Sequence, residues 1–135
     1  MAHGAPDWLR LVEVAVEVNL VPQQPVPAKE QAAGGIGRYT GISTTYQTVV
    51  SWTVAASKVG ELKELILMSN DFTLTLFQVT IGDVVYCSDT VVRNVLPLVF
   101  ADLKLEAAKV VKIECKSSDG SSITVDGVIV GKEIG

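Results

Sequence analysis

FTLTLFQVTIGDVVYC, residues 72–87, sets two apolar runs on either side of the pair Gly82-Asp83. In the first run Phe77, Val79 and Ile81 fall in phase on one face of an extended chain, the period-2 signature of a half-buried strand. Gly82-Asp83 has the chemistry of a two-residue hairpin turn, in which the central residues take positive φ. The run VVYC then returns as a short strand. A chain built around such a hairpin is β-protein unless its flanks say otherwise.

The flanks agree. Downstream, VLPLVF is another strand, and Pro97 confines it to an edge or a bend because proline donates no ladder hydrogen bond. VVKIECK, the turn SSDGSS and SITVDGVIVGKEI follow. In the last of these Ile123 and Val125 lie on odd positions but Val128 and Val130 on even ones. A glycine-type bulge at Asp126-Gly127 would return all four to one face, and a tight hairpin there is the competing reading. Upstream, SND is a turn, ELKELILM a compact apolar strand, and TYQTVVSWTV places Thr48, Val50, Trp52 and Val54 on one face.

Further upstream, LRLVEVAVEVNLV (residues 9–21) alternates cleanly, with Val12, Val14, Val16, Val18 and Leu20 opposite Glu13, Ala15, Glu17 and Asn19. Between it and the rest stands a stretch of different character. Residues 22–45 hold three prolines in six positions and then a glycine cluster, and they read as a long arm or loop. Pro27 followed by AKEQAA and Gly34 suggests one or two helical turns within it. The organisation expected is a flexible start at 1–8, a first strand at 9–21, the arm at 22–45 and a sandwich over 46–135 that forms one domain with residues 9–21. About eight short strands at this spacing predict an all-β fold, an antiparallel β-sandwich of jelly-roll type with an N-terminal arm.

Composition bounds the function. The chain has 135 residues and a net charge of −4, and its 19% charged residues fall below the roughly one quarter usual for a globular domain. Sparse charge and a positive mean hydropathy suggest surface covered by other chains, hence a homo-oligomer. The lysines are scattered, so no cationic cluster exists to displace counterions from a nucleic acid. No run reaches the ~18 apolar residues of a membrane span, and Glu13 and Glu17 interrupt the N-terminal apolar stretch as no signal peptide does. Cys87 and Cys115 sit in apolar strands, where free thiols behave as small core residues. Both are expected to be reduced and inward-facing, and a bridge between them is the alternative.

Residue chemistry removes most enzymatic classes. AAGGIGRYTG (32–41) lacks the spacing of a dinucleotide fingerprint, because Gly41 falls one position late after Gly35 and Gly37, and it has no strand before it or helix after it. His3 is the single histidine, which leaves no imidazole base for a nucleophilic triad and no His cluster for a β-barrel metal site. Asp71, Asp83, Asp89, Asp102, Asp119 and Asp126 fall in or beside turns, where Asp is turn chemistry. No catalytic residue, cofactor or metal ligand is therefore assigned. Trp8 and Tyr39 lie beside flexible backbone, where aromatics can anchor a partner. Together with Pro25, Pro27, Gly35 and Arg38 they are the candidate partner contacts, with Tyr39 tucked onto its own sandwich as the competing view.

From WTVAASKVGELKELILMSNDFTLTLFQVTIG through KSSDGSSITVDGVIVGKEI the chain resembles the small jelly-roll proteins of tailed-phage heads, the decoration or cement proteins and related minor head components. The resemblance rests on the run of short strands, the S-N-D and S-S-D-G turns and the N-terminal arm, and covers the last two-thirds of the chain. It implies a structural virion protein on the capsid surface, trimeric, whose partners are the major capsid protein or neighbouring virion subunits. The alternative is a carbohydrate- or receptor-binding sandwich of a phage tail or secreted protein, which would need exposed aromatics on one sheet face or in one loop set.

Overall fold

A computed structural model of the protein describes residues 29–135. The expected first strand at 9–21 lies outside these residues, as do Trp8, Pro25 and Pro27. Eight strands follow in order: β1 Glu30–Gly41, β2 Gln47–Thr53, β3 Val59–Ser69, β4 Thr75–Ile81, β5 Val84–Thr90, β6 Leu96–Leu105, β7 Val110–Ser117 and β8 Ile123–Ile134. They form two four-stranded antiparallel sheets, ordered β1-β8-β3-β6 and β2-β7-β4-β5.

That order has a simple origin. The hairpin β4–β5 is the tip of one long antiparallel ribbon, in which β3 pairs β6, β2 pairs β7 and β1 pairs β8. Successive pairs go to alternate sheets, so the ribbon is rolled around its own core. This is the jelly-roll arrangement. The tip is built as its sequence demands: Gly82 and Asp83 take φ of 60° and 68°, the two positive values of a type I′ turn. The Asp83 carboxylate also accepts the Val110 N–H at 2.9 Å, which ties the tip to the start of β7. Pro97 sits in β6, an edge strand, where its missing donor costs no ladder bond.

The core lies between the sheets and is centred on Phe77, Val79, Leu62, Leu65, Leu67, Val111, Ile113, Ile123 and Val125. Trp52 is buried too, and glycines of the opposite sheet make its slot. A Cβ on Gly131 would meet the Glu61 carbonyl oxygen at 2.7 Å and the indole at 2.8 Å, and one on Gly60 would meet Val54 at 2.7 Å. The indole N–H donates to the Glu133 carboxylate at 3.2 Å.

Four expectations from sequence need correction. Residues 30–41 are a strand, not part of an arm, and Glu30 to Ala33 are extended opposite Ile134 to Gly131 rather than helical. Long-range pairing with β8 overrides the weak strand propensity of Ala and Gly. Asp126-Gly127 is neither bulge nor hairpin: β8 alternates without a break, Gly127 and Ile129 point inward, and Val128 and Val130 point outward. A bulge does occur in β2, where the register shifts between Thr48 and Val50, so Val49 and Val50 are both buried and Thr48 is exposed. Cys87 and Cys115 are both free, but only Cys115 is fully buried; Cys87 is half-exposed on β5. Burial pushes the Cys115 thiol up to about 12.

Candidate functional site

An antiparallel sheet that faces water on its outer side alternates apolar-in with polar-out. The β7 strand of the β2-β7-β4-β5 sheet does so. Lys112, Glu114 and Lys116 of β7 stand outward beside Gln78 of β4, with Lys112 3.5 Å from Glu114. Gln78 donates to Glu114 at 3.0 Å and accepts from Ser88 at 2.9 Å. Lys116 lies 2.9 Å from Asp89 and 4.5 Å from the centre of the Tyr46 ring, whose hydroxyl donates to Asp89 at 2.5 Å. The hydroxyl bond, and then Lys116, hold the Asp89 carboxyl below its ordinary range. The centre of this face is charged and paired, while Val84, Val85 and Tyr86 are exposed along its β5 edge.

The outer face of the β1-β8-β3-β6 sheet differs. The register sets Ile36, Val128, Ile66 and Pro97 in one row across all four strands, with Val130, Glu64 and Val99 in the next. Ile36 is 79% exposed and Val99 77%, and Val130 is also exposed, so the band has no cover among the described residues. Charge closes it at both ends. On one side Arg38 grips Asp126 through two donors, at 2.7 and 3.1 Å. That fork lowers the Asp126 carboxyl below the usual carboxylate range and raises Arg38. On the other side one charge from each strand forms a ladder: Glu30 beside Lys132 at 3.3 Å, Lys132 beside Glu61 at 3.3 Å, and Glu61 paired with Lys104. An apolar centre with a paired polar rim is the anatomy of an interface.

Four strands at ~4.8 Å spacing and nine residues of strand length at ~3.4 Å each give this face roughly 600 Å². A stable specific interface takes about 800 Å² per partner. One such contact is weak, and several on one assembly would be strong.

The candidate residues named from sequence are separated by the fold. Arg38 stands on the rim of the apolar band. Gly35 is on β1 beside it, with open space where a side chain would be. Tyr39 turns inward, packs against its own core and accepts the Ser43 N–H at 3.1 Å, which is the self-packed alternative. Ile36, Ile66, Val99, Val128 and Val130 were missed. The signal for two of them was present: the phase break between Val125 and Val128 marks a strand that is apolar on both faces.

Other surface features are poorer in convergent chemistry. An open cleft of about 390 Å³ runs between the β4–β5 tip and β6, lined by Ile81, Tyr86, Leu103 and Lys109 among others. Among the described residues no three His, Cys, Asp or Glu side chains gather as metal ligands. Trp52 is in the core and offers no stacking platform to a sugar. No protein-family model matches the chain, and no curated protein matches it.

Proposed function

We propose that this protein is a structural component of a virus particle, a decoration or cement protein that binds capsid subunits and stabilises the shell. The observation that carries the reading is the apolar band of Ile36, Val128, Ile66, Val99 and Val130 across one outer sheet face, where the centre of the other sheet presents Lys112, Glu114, Lys116 and Gln78. A sandwich needs no such band for its own core. An assembly protein needs one flat face toward its partner and one toward water. The jelly-roll order is compatible with this role, though that fold also serves lectins and cupins, so the face and not the fold supplies the argument. Repeated attachment around a symmetric shell, through a homo-oligomer for which a trimer is the favoured state, compensates for the small area of each contact.

The test is composition of the particle. Virions banded from the source culture and analysed by quantitative mass spectrometry should contain the chain in stoichiometric amounts. Its absence from particles that keep their other head proteins would overturn the reading.

A further inference from the structure

The groups of the open cleft between the β4–β5 tip and β6 make no catalytic set, but they suit a ligand. Two irregularities border it. Val79 pairs with Cys87 and Thr80 with Val85, so Tyr86 is an extra residue of β5 without a partner on β4. In the other sheet Leu62 pairs with Leu103 and Glu64 with Val99, so Phe100, Ala101 and Asp102 together oppose Lys63 alone. Asp102 takes a φ of 50° within that bulge. Bulges bend edge strands and re-aim the side chain at the break. Here they lie on edge strands of both sheets, and Tyr86 of one lines the cleft together with Leu103 and Leu105 of the other.

We infer that this cleft binds a short, uncharged saccharide. Such a ligand has an apolar C–H face and a polar edge of hydroxyls, and it needs a site that offers both. The floor is apolar: Ile81 and Leu105 are buried, and Leu103 shares the inner face of its sheet with its partner Leu62. Tyr86 makes a wall. It is 67% exposed among the described residues, and it presents a flat ring with a polar tip. Lys104, Glu106 and Lys109 complete the lining and supply donors and acceptors for hydroxyls. The volume of about 390 Å³ falls at the low end of small-molecule sites, ~300–1,000 Å³, which suits a short ligand.

Charge and depth select the class of ligand. Lys104 is paired with Glu61, and Lys109 lies 3.7 Å from Asp83, so an anion would have to compete with a carboxylate for either cation. Glu106 would repel it as well. An acyl chain fares no better, because the cleft is open and most of the chain would stay in water. A neutral polyol meets neither penalty. It can lay its C–H face on the Tyr86 ring while its hydroxyls reach charged groups that keep their partners. The inference holds whether or not the protein belongs to a virion.

The test titrates the isotopically labelled full chain, followed by NMR, with maltose, cellobiose, lactose and diacetylchitobiose in turn at millimolar concentration. At least one should shift the amides of Tyr86, Leu103, Glu106 and Lys109. Tyr86→Ala should weaken that binding by about tenfold, since it removes the stacking face. Tyr86→Phe should preserve it, because the ring and not the hydroxyl supplies the stacking. Octanoate, the probe for an acyl anion, should bind more weakly than the sugar. No shift at these amides with any of the four sugars would overturn the inference. So would sugar binding unchanged in Tyr86→Ala, or octanoate binding the tighter. Nuclear Overhauser contacts between the Tyr86 ring and residues 1–28 would show a cleft filled by the chain itself, and would overturn it too.

Discussion

Replacing Ile36 and Val99 together by serine separates what the outer apolar band does for the fold from what it would do in the proposed assembly. In the isolated chain 21% of Ile36 and 23% of Val99 are covered, from exposures of 79% and 77%. Full burial of such a side chain is worth about 1.5–3 kcal/mol, so the covered fractions contribute about 0.3–0.7 kcal/mol each. The double variant should therefore lose only about 0.6–1.4 kcal/mol of folding stability. If a partner covers the remainder, the same change removes about 1.2–2.4 kcal/mol per residue from binding. Together that weakens attachment by about 50- to 2,000-fold. Urea denaturation followed by Trp52 fluorescence measures the first quantity, and co-sedimentation with stripped particles over a concentration series measures the second. Unchanged binding would refute the assignment of this face. A stability loss well above 2 kcal/mol would show that both side chains belong to the core, and the exposure argument would fail with them.

The remaining predictions concern packing, thiols and charge. Gly131→Ala should destabilise the fold by about 1–3 kcal/mol, because the new Cβ meets a carbonyl oxygen that cannot move and the Trp52 ring; a denaturation midpoint equal to wild type would contradict the slot. Thiol titration should find two free sulfhydryls in the unfolded, unreduced protein, while in the native state Cys115 stays inert because burial holds its pKa at about 12. The Asp126 carboxyl should titrate below the ordinary carboxylate value, and Arg38→Gln should return it toward that value by NMR. Because its folded pKa is depressed, its contribution to stability is complete above the unfolded value near ~3.9 and is lost as pH falls through the lower folded one. An Asp126 that titrates normally in the wild type would remove the fork from the account.

Sequence reached the roll through its tip. Gly82-Asp83 specifies a type I′ turn chemically, and Phe77, Val79 and Ile81 show the phase that the strand keeps, so local information sufficed there. Pro97 marked an edge for an equally local reason. β1 was illegible because EQAAGGIGRYTG has neither alternation nor strand propensity; it is extended because β8 pairs with it across ninety residues of chain. The bulges in β2 and β3 were hidden too, since an inserted residue flips a face without changing composition. The outer apolar band was lost to one assumption. Val128 and Val130 were expected to follow Val125 inward, and a bulge was needed to put them there. A strand apolar on both faces explains the same letters without one, and that reading would have pointed to a partner.

The most direct test of the proposed assembly role is a cryo-electron microscopy reconstruction of virus particles with the chain bound. The proposed role predicts a sandwich whose β1-β8-β3-β6 sheet lies against a neighbouring subunit, with Ile36, Val99 and Val130 in the contact and Lys112, Glu114 and Lys116 toward solvent. A sandwich seated on its β2-β7-β4-β5 face, with the apolar band left bare, would contradict it.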